Sequence, residues 1–189
     1  MPSHAWLDVG AFYWRNVMFD VVFERLMPHE GGFQCDPKDR GNWTGGRVGV
    51  GELKGTNRGI AAMTYPHLDI KNLSYEQVKA IYFEDWWQAL GMARFRPAMQ
   101  YQLFDAAVQH GWHRAVKMLQ NAVGEKPDGI IGPKTLSATQ TMDLNDLLMR
   151  YIAYRITFYT KVSTFNEYGR GWMRRVAQCL LFAAVDNDL

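Results

Sequence analysis

One glutamate stands where a helix-forming segment gives way to a glycine-rich loop, in the run His29-Glu30-Gly31-Gly32-Phe33. Ordered backbone can hold a carboxyl group at such a junction while its side chain faces a cleft. Apolar neighbours such as Phe33 or Trp43 would disfavour its charged form. A neutral carboxylic acid can protonate a glycosidic oxygen as the bond breaks. We therefore take Glu30 as a candidate general acid, the alternative being a surface glutamate beside a helix-ending glycine pair.

The residues after Glu30 extend this candidate site. Gly31 and Gly32 would let a polymer strand approach the backbone closely, because neither carries a side chain. Asp36 and Asp39 are two further carboxylates, and either could orient a water molecule or stabilise positive charge on a sugar ring. Both also fit the alternative of ordinary turn residues, since Asp precedes Pro in one case and Arg-Gly in the other.

Other chemistries lack their usual patterns. His110 and His113 are three residues apart with Gly111 between them, and neither HExxH nor the alternating aspartates of a calcium loop occur. No G-x-S-x-G motif is present. Cys35 and Cys179 are far apart and form no CxxC pair, so free thiols are the expectation. The sequence predicts no metal site and no cofactor.

Composition indicates an ordinary globular protein. The chain has 189 residues, 48% of them hydrophobic and 21% charged, which fits a single compact domain over 1–189. The net charge is +2 with no block rich in Lys or Arg, so nucleic acid is not expected as a partner. No long apolar run and no signal-peptide pattern are visible. We expect a monomer that does not insert into membranes.

Hydrophobic spacing predicts a mainly α-helical fold of about seven helices. Ser74-Tyr75-Glu76-Gln77 fits a helix capping box, and Gly132-Pro133 fits a helix start. The remaining helical segments are 13–27, 98–109, 113–122, 144–160 and 171–184. The segment 33–60 differs, because it holds seven glycines. We expect a long active-site loop there, with a short hairpin around Arg47–Lys54.

Several motifs in this order resemble the glycoside hydrolase family 108 muramidases, often called EGG-motif endolysins. The resemblance begins with the Glu30 motif, Asp36-Pro37 and Asp39, and continues over nearly the whole chain, from about residue 20 to 177. Its other motifs are Thr56-Asn57-Arg58-Gly59-Ile60, Phe104-Asp105-Ala106-Ala107-Val108, Leu119-Gln120, Asp128-Gly129-Ile130-Ile131-Gly132-Pro133-Lys134-Thr135-Leu136, Arg155, Tyr159, Phe165, Gly171-Trp172 and Arg175-Val176.

The resemblance implies a lysozyme-like helical fold and cleavage of the β-1,4 bond between N-acetylmuramic acid and N-acetylglucosamine. It places the catalytic glutamate at Glu30, and it implies that Asp36, Asp39, Thr56, Asn57 and Gly59 line or shape the cleft. It implies no cofactor. The partner would be the glycan strands of bacterial peptidoglycan. We expect a soft subdivision into a catalytic part, 20–109, and a part similar to peptidoglycan-binding segments, 110–180.

Two features depart from the family pattern. The family usually has Asn before the glycine that ends its central helix, whereas this chain has Gln109-His110-Gly111. The loop between Asp39 and Thr56 is also longer than in the simplest members. The segment from Asp128 to Thr135 could bind the wall, or it could be only a turn and a helix start.

Three functions stay open on the sequence. The first is an endolysin-type hydrolase that waits in the host cytoplasm until lysis and then acts on periplasmic peptidoglycan. The second is a lytic transglycosylase, which needs only one acid/base glutamate because the sugar's own 6-hydroxyl attacks. The third is a non-catalytic protein of the cell wall or virion. The separation of the two carboxyl groups would distinguish inversion, at about 6.5–9.5 Å, from retention, at about 5–5.5 Å.

Overall fold

The described part of the protein is mainly α-helical, as the sequence predicts. The structure is a computed structural model, and it describes residues 18–187. Within them lie seven α-helices: α1 (18–26), α2 (Tyr75–Ile81), α3 (Pro97–His110), α4 (Trp112–Val123), α5 (Pro133–Thr141), α6 (Leu144–Thr160) and α7 (Phe165–Asp186). A π-helix, Tyr82–Gln88, continues α2. The prediction of a lysozyme-like helical fold is confirmed.

A two-stranded antiparallel sheet, β1 (Thr56–Asn57) and β2 (Ile60–Ala61), is the sheet found in the described residues. The predicted hairpin therefore exists but lies after Arg47–Lys54. In that earlier segment the chain makes one isolated bridge, between Trp43 and Leu53. Gly49 and Gly51 adopt a φ of +79°, outside the range of extended strands, and this limits the pairing there.

The chain divides between Leu90 and Gly91 into two compact units. In the N-terminal unit, α1 buries Phe19, Phe23 and Leu26 on one face, at the spacing that helical periodicity predicts. The Phe19 ring lies 5.4 Å from the Trp87 ring, and the Phe23 ring lies 5.7 Å from the Tyr82 ring. This aromatic core fixes the helix that ends just before Glu30. The expected subdivision near residue 110 stays a prediction.

Helix boundaries agree closely with the predictions in the C-terminal unit, apart from α7. That helix begins at Phe165, six residues before the predicted start, and runs to Asp186, which is buried. Predictions about residues 1–17 and 188–189, including the start of the first helix, lie outside the described residues. Among the described helices none is long and apolar enough to cross a membrane.

Helix α3 lies at the centre of the C-terminal unit. It packs against α4, α6 and α7, and its residues from Ala98 to Ala107 are all buried. One of them is Asp105, which is fully buried and forms ion pairs with Arg155 of α6 and Arg175 of α7. The Arg175 Nη2 lies 2.7 Å from Asp105 Oδ1. One carboxylate therefore ties three helices together.

Burial by itself would raise the pKa of Asp105, but the adjacent charges of Arg155 and Arg175 lower it below its ordinary value. The carboxylate thus stays ionised, and its stabilisation is present above the unfolded pKa of about 3.9. It is lost as the pH falls through the lower, folded-state pKa.

Replacing Asp105 with Asn should destabilise the C-terminal unit strongly. The change removes the buried carboxylate that pairs with both guanidinium groups, and breaking a buried ion pair in this way costs about 3–5 kcal/mol. Denaturant titration at neutral pH measures it. The matched control is D146N, which breaks the exposed 3.3 Å pair of Asp146 and Arg150 and should cost about 0.3–0.5 kcal/mol. Equal costs for D105N and D146N would contradict the assigned role of Asp105.

His110, at the end of α3, borders this cluster. Its Nε2 accepts a hydrogen bond from Arg155 Nε at 3.3 Å, which requires a neutral imidazole. Burial, and then the charge of Arg155, lower the pKa of His110 to about 3. The unfolded chain binds a proton there near pH 6.5, but the native state does not do so until far lower pH. Folding stability must therefore fall as the pH drops through this window.

We expect H110Q to have a flatter dependence of unfolding free energy on pH between 6.5 and 4 than the wild type. Gln can still accept the hydrogen bond from Arg155 but does not titrate. The difference in slope should approach about 1.4 kcal/mol per pH unit. H67Q, which alters an exposed histidine, is the control and should keep the wild-type slope. Parallel curves for H110Q and the wild type would refute this account.

Candidate active site

Glu30 lies at the end of the short 3-10 helix Met27–His29 that extends α1. Its backbone N–H donates to the carbonyl of Met27 at 3.1 Å, and its φ and ψ of −92° and 123° turn the chain out of the helix. Met27 and Leu26 are buried just before it. The Glu30 side chain itself is half-buried. The backbone at Glu30 is thus anchored to the core, while its carboxyl group retains access to solvent.

The Glu30 carboxylate lies beside the turn of the β1–β2 hairpin. A Cβ atom built on Gly59 would be 3.3 Å from Glu30 Oε2 and would overlap the hydroxyl of Tyr82. Gly59 also has a φ of +78°, which side chains rarely tolerate. The Tyr82 hydroxyl donates to the carbonyl of Arg58 at 3.2 Å and so holds the turn in place. The site therefore combines Glu30, Gly59 and Tyr82. The sequence does not predict that Tyr82 contributes to it.

Gly31 and Gly32 face open space. Among residues 18–187, no atom lies within 4 Å of a Cβ built on either residue, and both residues are exposed. The carbonyl of Gly31 accepts a hydrogen bond from the backbone of Arg58 at 3.1 Å, which links the start of the loop to the hairpin. Packing inside the protein does not require glycine at these positions. The open space beside them is where a bound strand could approach.

Asp36 and Asp39 are exposed and lie in consecutive turns. Asp36 Oδ1 accepts from the backbone of Lys38 at 2.8 Å, and Asp39 Oδ1 accepts from the backbone of Gly41 at 2.9 Å. These are turn-stabilising bonds of the kind that aspartate commonly makes. Asp39 Oδ2 has a further partner, Gln34 Nε2, at 3.4 Å. Both carboxylates thus stabilise turns and belong to residues that are exposed to solvent.

A buried amide that the sequence does not single out connects these elements. Asn42 is fully buried, and its Oδ1 accepts from the Thr56 hydroxyl at 2.7 Å. Its Nδ2 donates to Gln34 Oε1 at 2.8 Å and to the carbonyl of Asp36 at 2.9 Å. Gln34 and Thr56 also pair through their backbones as an isolated antiparallel bridge. Asn42 thereby holds the aspartate turns against β1.

The predicted cleft residues Thr56 and Asn57 point to different sides of β1. The Thr56 side chain is bonded to Asn42, whereas Asn57 is buried and its Nδ2 donates to the carbonyl of Ile70 at 3.1 Å. Asn57 therefore shapes the site by fixing the hairpin. The Phe33 ring lies against Gly55, and the Trp43 indole donates to the carbonyl of Pro37 at 2.9 Å. Their expected sheltering of Glu30 stays a prediction.

A groove of about 530 Å³ lies on the Phe33 side of the loop. Phe33 and Cys35 alternate with Gln34, so they face away from the Asn42 network. Leu53, Lys71 and other residues of 53–71 complete its walls. Cys35 is a free exposed thiol, and Cys179 is a free buried one. Across residues 18–187 no three His, Cys, Asp or Glu side chains are grouped to hold a metal ion.

The Asp128–Thr135 motif of the C-terminal unit uses its polar groups internally. Asp128 Oδ1 accepts from Gln120 Nε2 at 2.7 Å and from the backbone of Ile130 at 2.9 Å. These two hydrogen bonds, the one from Gln120 first, lower the pKa of Asp128. Gly129 N donates to Gln120 Oε1 at 2.8 Å. The motif therefore forms the turn that leads into α5, with Gln120 as its internal partner.

The comparisons with known proteins agree with the helical fold. Residues 23–111 match the sequence model of the family Glycosyl hydrolase 108, and residues 114–177 match that of the family Predicted Peptidoglycan domain. Together these matches support a glycoside hydrolase that acts on peptidoglycan.

The chain is also similar to a solved structure. The chain is similar to SagA of Brucella abortus, with 28% sequence identity and a TM-score of 0.73. The similarity covers 90% of this chain and 95% of that one. A comparison with curated proteins gave no significant match.

Substituting Gly59 with Ala should impair activity more than it impairs stability. The new methyl group would press on the Tyr82 hydroxyl and on the Glu30 carboxylate, and a displacement of about 1 Å can cost about 100-fold in rate. Wall-lysis assays and thermal unfolding measure the two effects. G49A is the control, because Gly49 has a similar φ of +79° and, among the described residues, no atom lies within 4 Å of a Cβ built there. Full activity of G59A in a folded protein would contradict this picture.

Proposed function

We propose that the protein is an N-acetylmuramidase. It hydrolyses the β-1,4 bond between N-acetylmuramic acid and N-acetylglucosamine, with Glu30 as the general acid. The observation that carries the proposal is the position of Glu30, half-buried beside Gly59 at the point where the chain leaves α1. The family match of residues 23–111 supports a glycosidic substrate. An endolysin would use this activity on the host wall during lysis.

In the proposed reaction, the protonated Glu30 gives its proton to the bridging oxygen as that oxygen leaves the anomeric carbon. A water molecule attacks the anomeric carbon, and its proton passes to a second carboxylate or to solvent. Tyr82 and the Gly59 turn limit the positions that the Glu30 carboxyl group can occupy. The backbone anchor at Met27 keeps the Glu30 main chain fixed while the strand binds.

We infer that Asp39 is the second carboxylate. Asp36 Oδ1 serves a local turn, and among the residues that the structure describes no further side chain bonds to that carboxylate. Asp39 is held both by its own turn and by Gln34, which belongs to the network that reaches Thr56. The open faces of Gly31 and Gly32 supply room for the strand. The segment 114–177 would retain the enzyme on the wall.

The variant E30Q should lose lysis of purified peptidoglycan by at least 100-fold, because general acid catalysis contributes about 10²–10⁴-fold. Its matched control is E84Q, which changes an exposed glutamate of the same unit and should keep wild-type activity. Both variants should unfold at the wild-type temperature. Lysis by E30Q at the wild-type rate would remove Glu30 from the mechanism.

Mass spectrometry of the digested wall determines the reaction type. Hydrolysis gives fragments with reducing N-acetylmuramic acid ends. Anhydro-sugar ends without reducing ends would instead identify a lytic transglycosylase. Binding of wild-type protein to walls with no released fragments would overturn the enzymatic proposal.

A further inference from the structure

The side chains of Gln34 and Asn42 form a reciprocal amide pair. Gln34 Nε2 donates to Asn42 Oδ1 at 3.1 Å, and Asn42 Nδ2 donates back to Gln34 Oε1 at 2.8 Å. Asn42 Nδ2 also donates to the carbonyl of Asp36, and Gln34 Oε1 also accepts from the backbone of Asp36 at 3.1 Å. With the outer bonds to Thr56 and Asp39, each amide makes four hydrogen bonds. A fully satisfied network of this kind is rigid.

The hydrogen bonds that join the amide pair to Thr56 and Asp39 each have a defined donor and acceptor. The single proton of the Thr56 hydroxyl goes to Asn42 Oδ1, so its oxygen lone pairs remain to accept a proton from another group. Asp39 Oδ2 receives a Gln34 amide proton, while Oδ1 receives the Gly41 amide. Both Thr56 and Asp39 therefore present acceptors. A water molecule held between two acceptors directs its protons to them and its lone pair elsewhere.

The pair is also held from its backbone. Asn42 is fully buried, and its carbonyl accepts from the amides of Lys54 at 2.9 Å and Gly55 at 3.1 Å. Gln34 pairs with Thr56 through two backbone hydrogen bonds of 2.8 Å. Neither amide can rotate without breaking several of these bonds. Such constraint exceeds what a loop turn alone requires.

We propose that Gln34 and Asn42 are positioning residues for the hydrolytic step. They fix the Asp39 carboxylate and the Thr56 hydroxyl as two acceptors for the attacking water, and neither amide touches the substrate. This inference rests on the proposed function and adds how its second group is oriented. It concerns the water side of the reaction and leaves the proton donor, Glu30, unaffected.

The variant Q34E tests the proposal. The introduced carboxylate can keep the bonds from Asn42 Nδ2 and the Asp36 amide. It loses both donors of Gln34 Nε2 and places a negative charge beside Asp39 Oδ2 and Asn42 Oδ1. This charge disfavours the ionised form of Asp39. We expect kcat to fall roughly 10- to 100-fold, with KM nearly unchanged, and the acid limb of the kcat–pH profile to move to higher pH. Q88E adds the same charge at an exposed glutamine of the same unit and should leave kcat and the profile unchanged.

A second comparison uses Thr56. T56S retains the hydroxyl and should retain kcat, whereas T56V loses it and should lower kcat without raising KM. Equal effects of Q34E and Q88E, or a change in KM alone in T56V, would overturn the positioning role. Full activity of D39N would also overturn it while E30Q could still show that Glu30 is the acid. Inactivity of the wild type would instead defeat the proposed function.

Discussion

The loop that follows Glu30 has few apolar side chains of its own, and its shape depends on one buried amide. Asn42 satisfies four hydrogen bonds through its side chain and two more through its carbonyl. Leaving a buried amide without partners costs about 1–3 kcal/mol. The loop conformation that supplies these partners to Asn42 is therefore favoured. The two aspartate turns and β1 are thereby fixed relative to one another. This polar network stabilises the conformation of the loop, a role that a hydrophobic core has in other parts of proteins.

The two units of the protein are stabilised by different means. Aromatic rings packed edge to face hold α1 against the π-helix, and this packing positions the glutamate without placing charge in the interior. In the C-terminal unit the buried carboxylate of Asp105 crosslinks three helices, and the adjacent His110 stays neutral. The aromatic packing of the N-terminal unit tolerates a change of pH, whereas the Asp105 ion pairs and the neutral His110 of the C-terminal unit are sensitive to pH. Acid should therefore affect the C-terminal unit first.

Much of this architecture follows from local sequence. Helical periodicity locates α3 to α6, and the Ser74 capping box forms as predicted. Glu30 stands out in the sequence because a glycine pair ends a helix there. The start of α7 does not follow from the sequence, because Gly169 and Gly171 indicate a helix end. Gly169 is in fact needed inside the helix, where a Cβ would lie 2.9 Å from the Phe165 ring.

The roles of Asn42 and Gln34 could not be predicted. Gln34 and Asn42 are 8 residues apart, and Thr56 is 14 residues from Asn42. The segment has no periodicity, and polar loop residues look alike in sequence. In the sequence, Tyr82 is one position of an ordinary amphipathic helix. Its contact with the Gly59 turn depends on long-range folding that spacing does not encode. Local patterns thus identify the candidate acid, and tertiary contacts determine what surrounds it.

The π-helical segment accommodates one more residue than an α-helix would between two buried rings. Tyr82 and Trp87 are both buried, and they are five residues apart. In an α-helix such residues would point about 140° apart, but the wider turn of a π-helix brings them closer to one side. Deleting one residue between them would leave them four residues apart, and an α-helix points such residues only about 40° apart. Homologues with one residue fewer here can therefore keep both aromatic contacts in an ordinary α-helix.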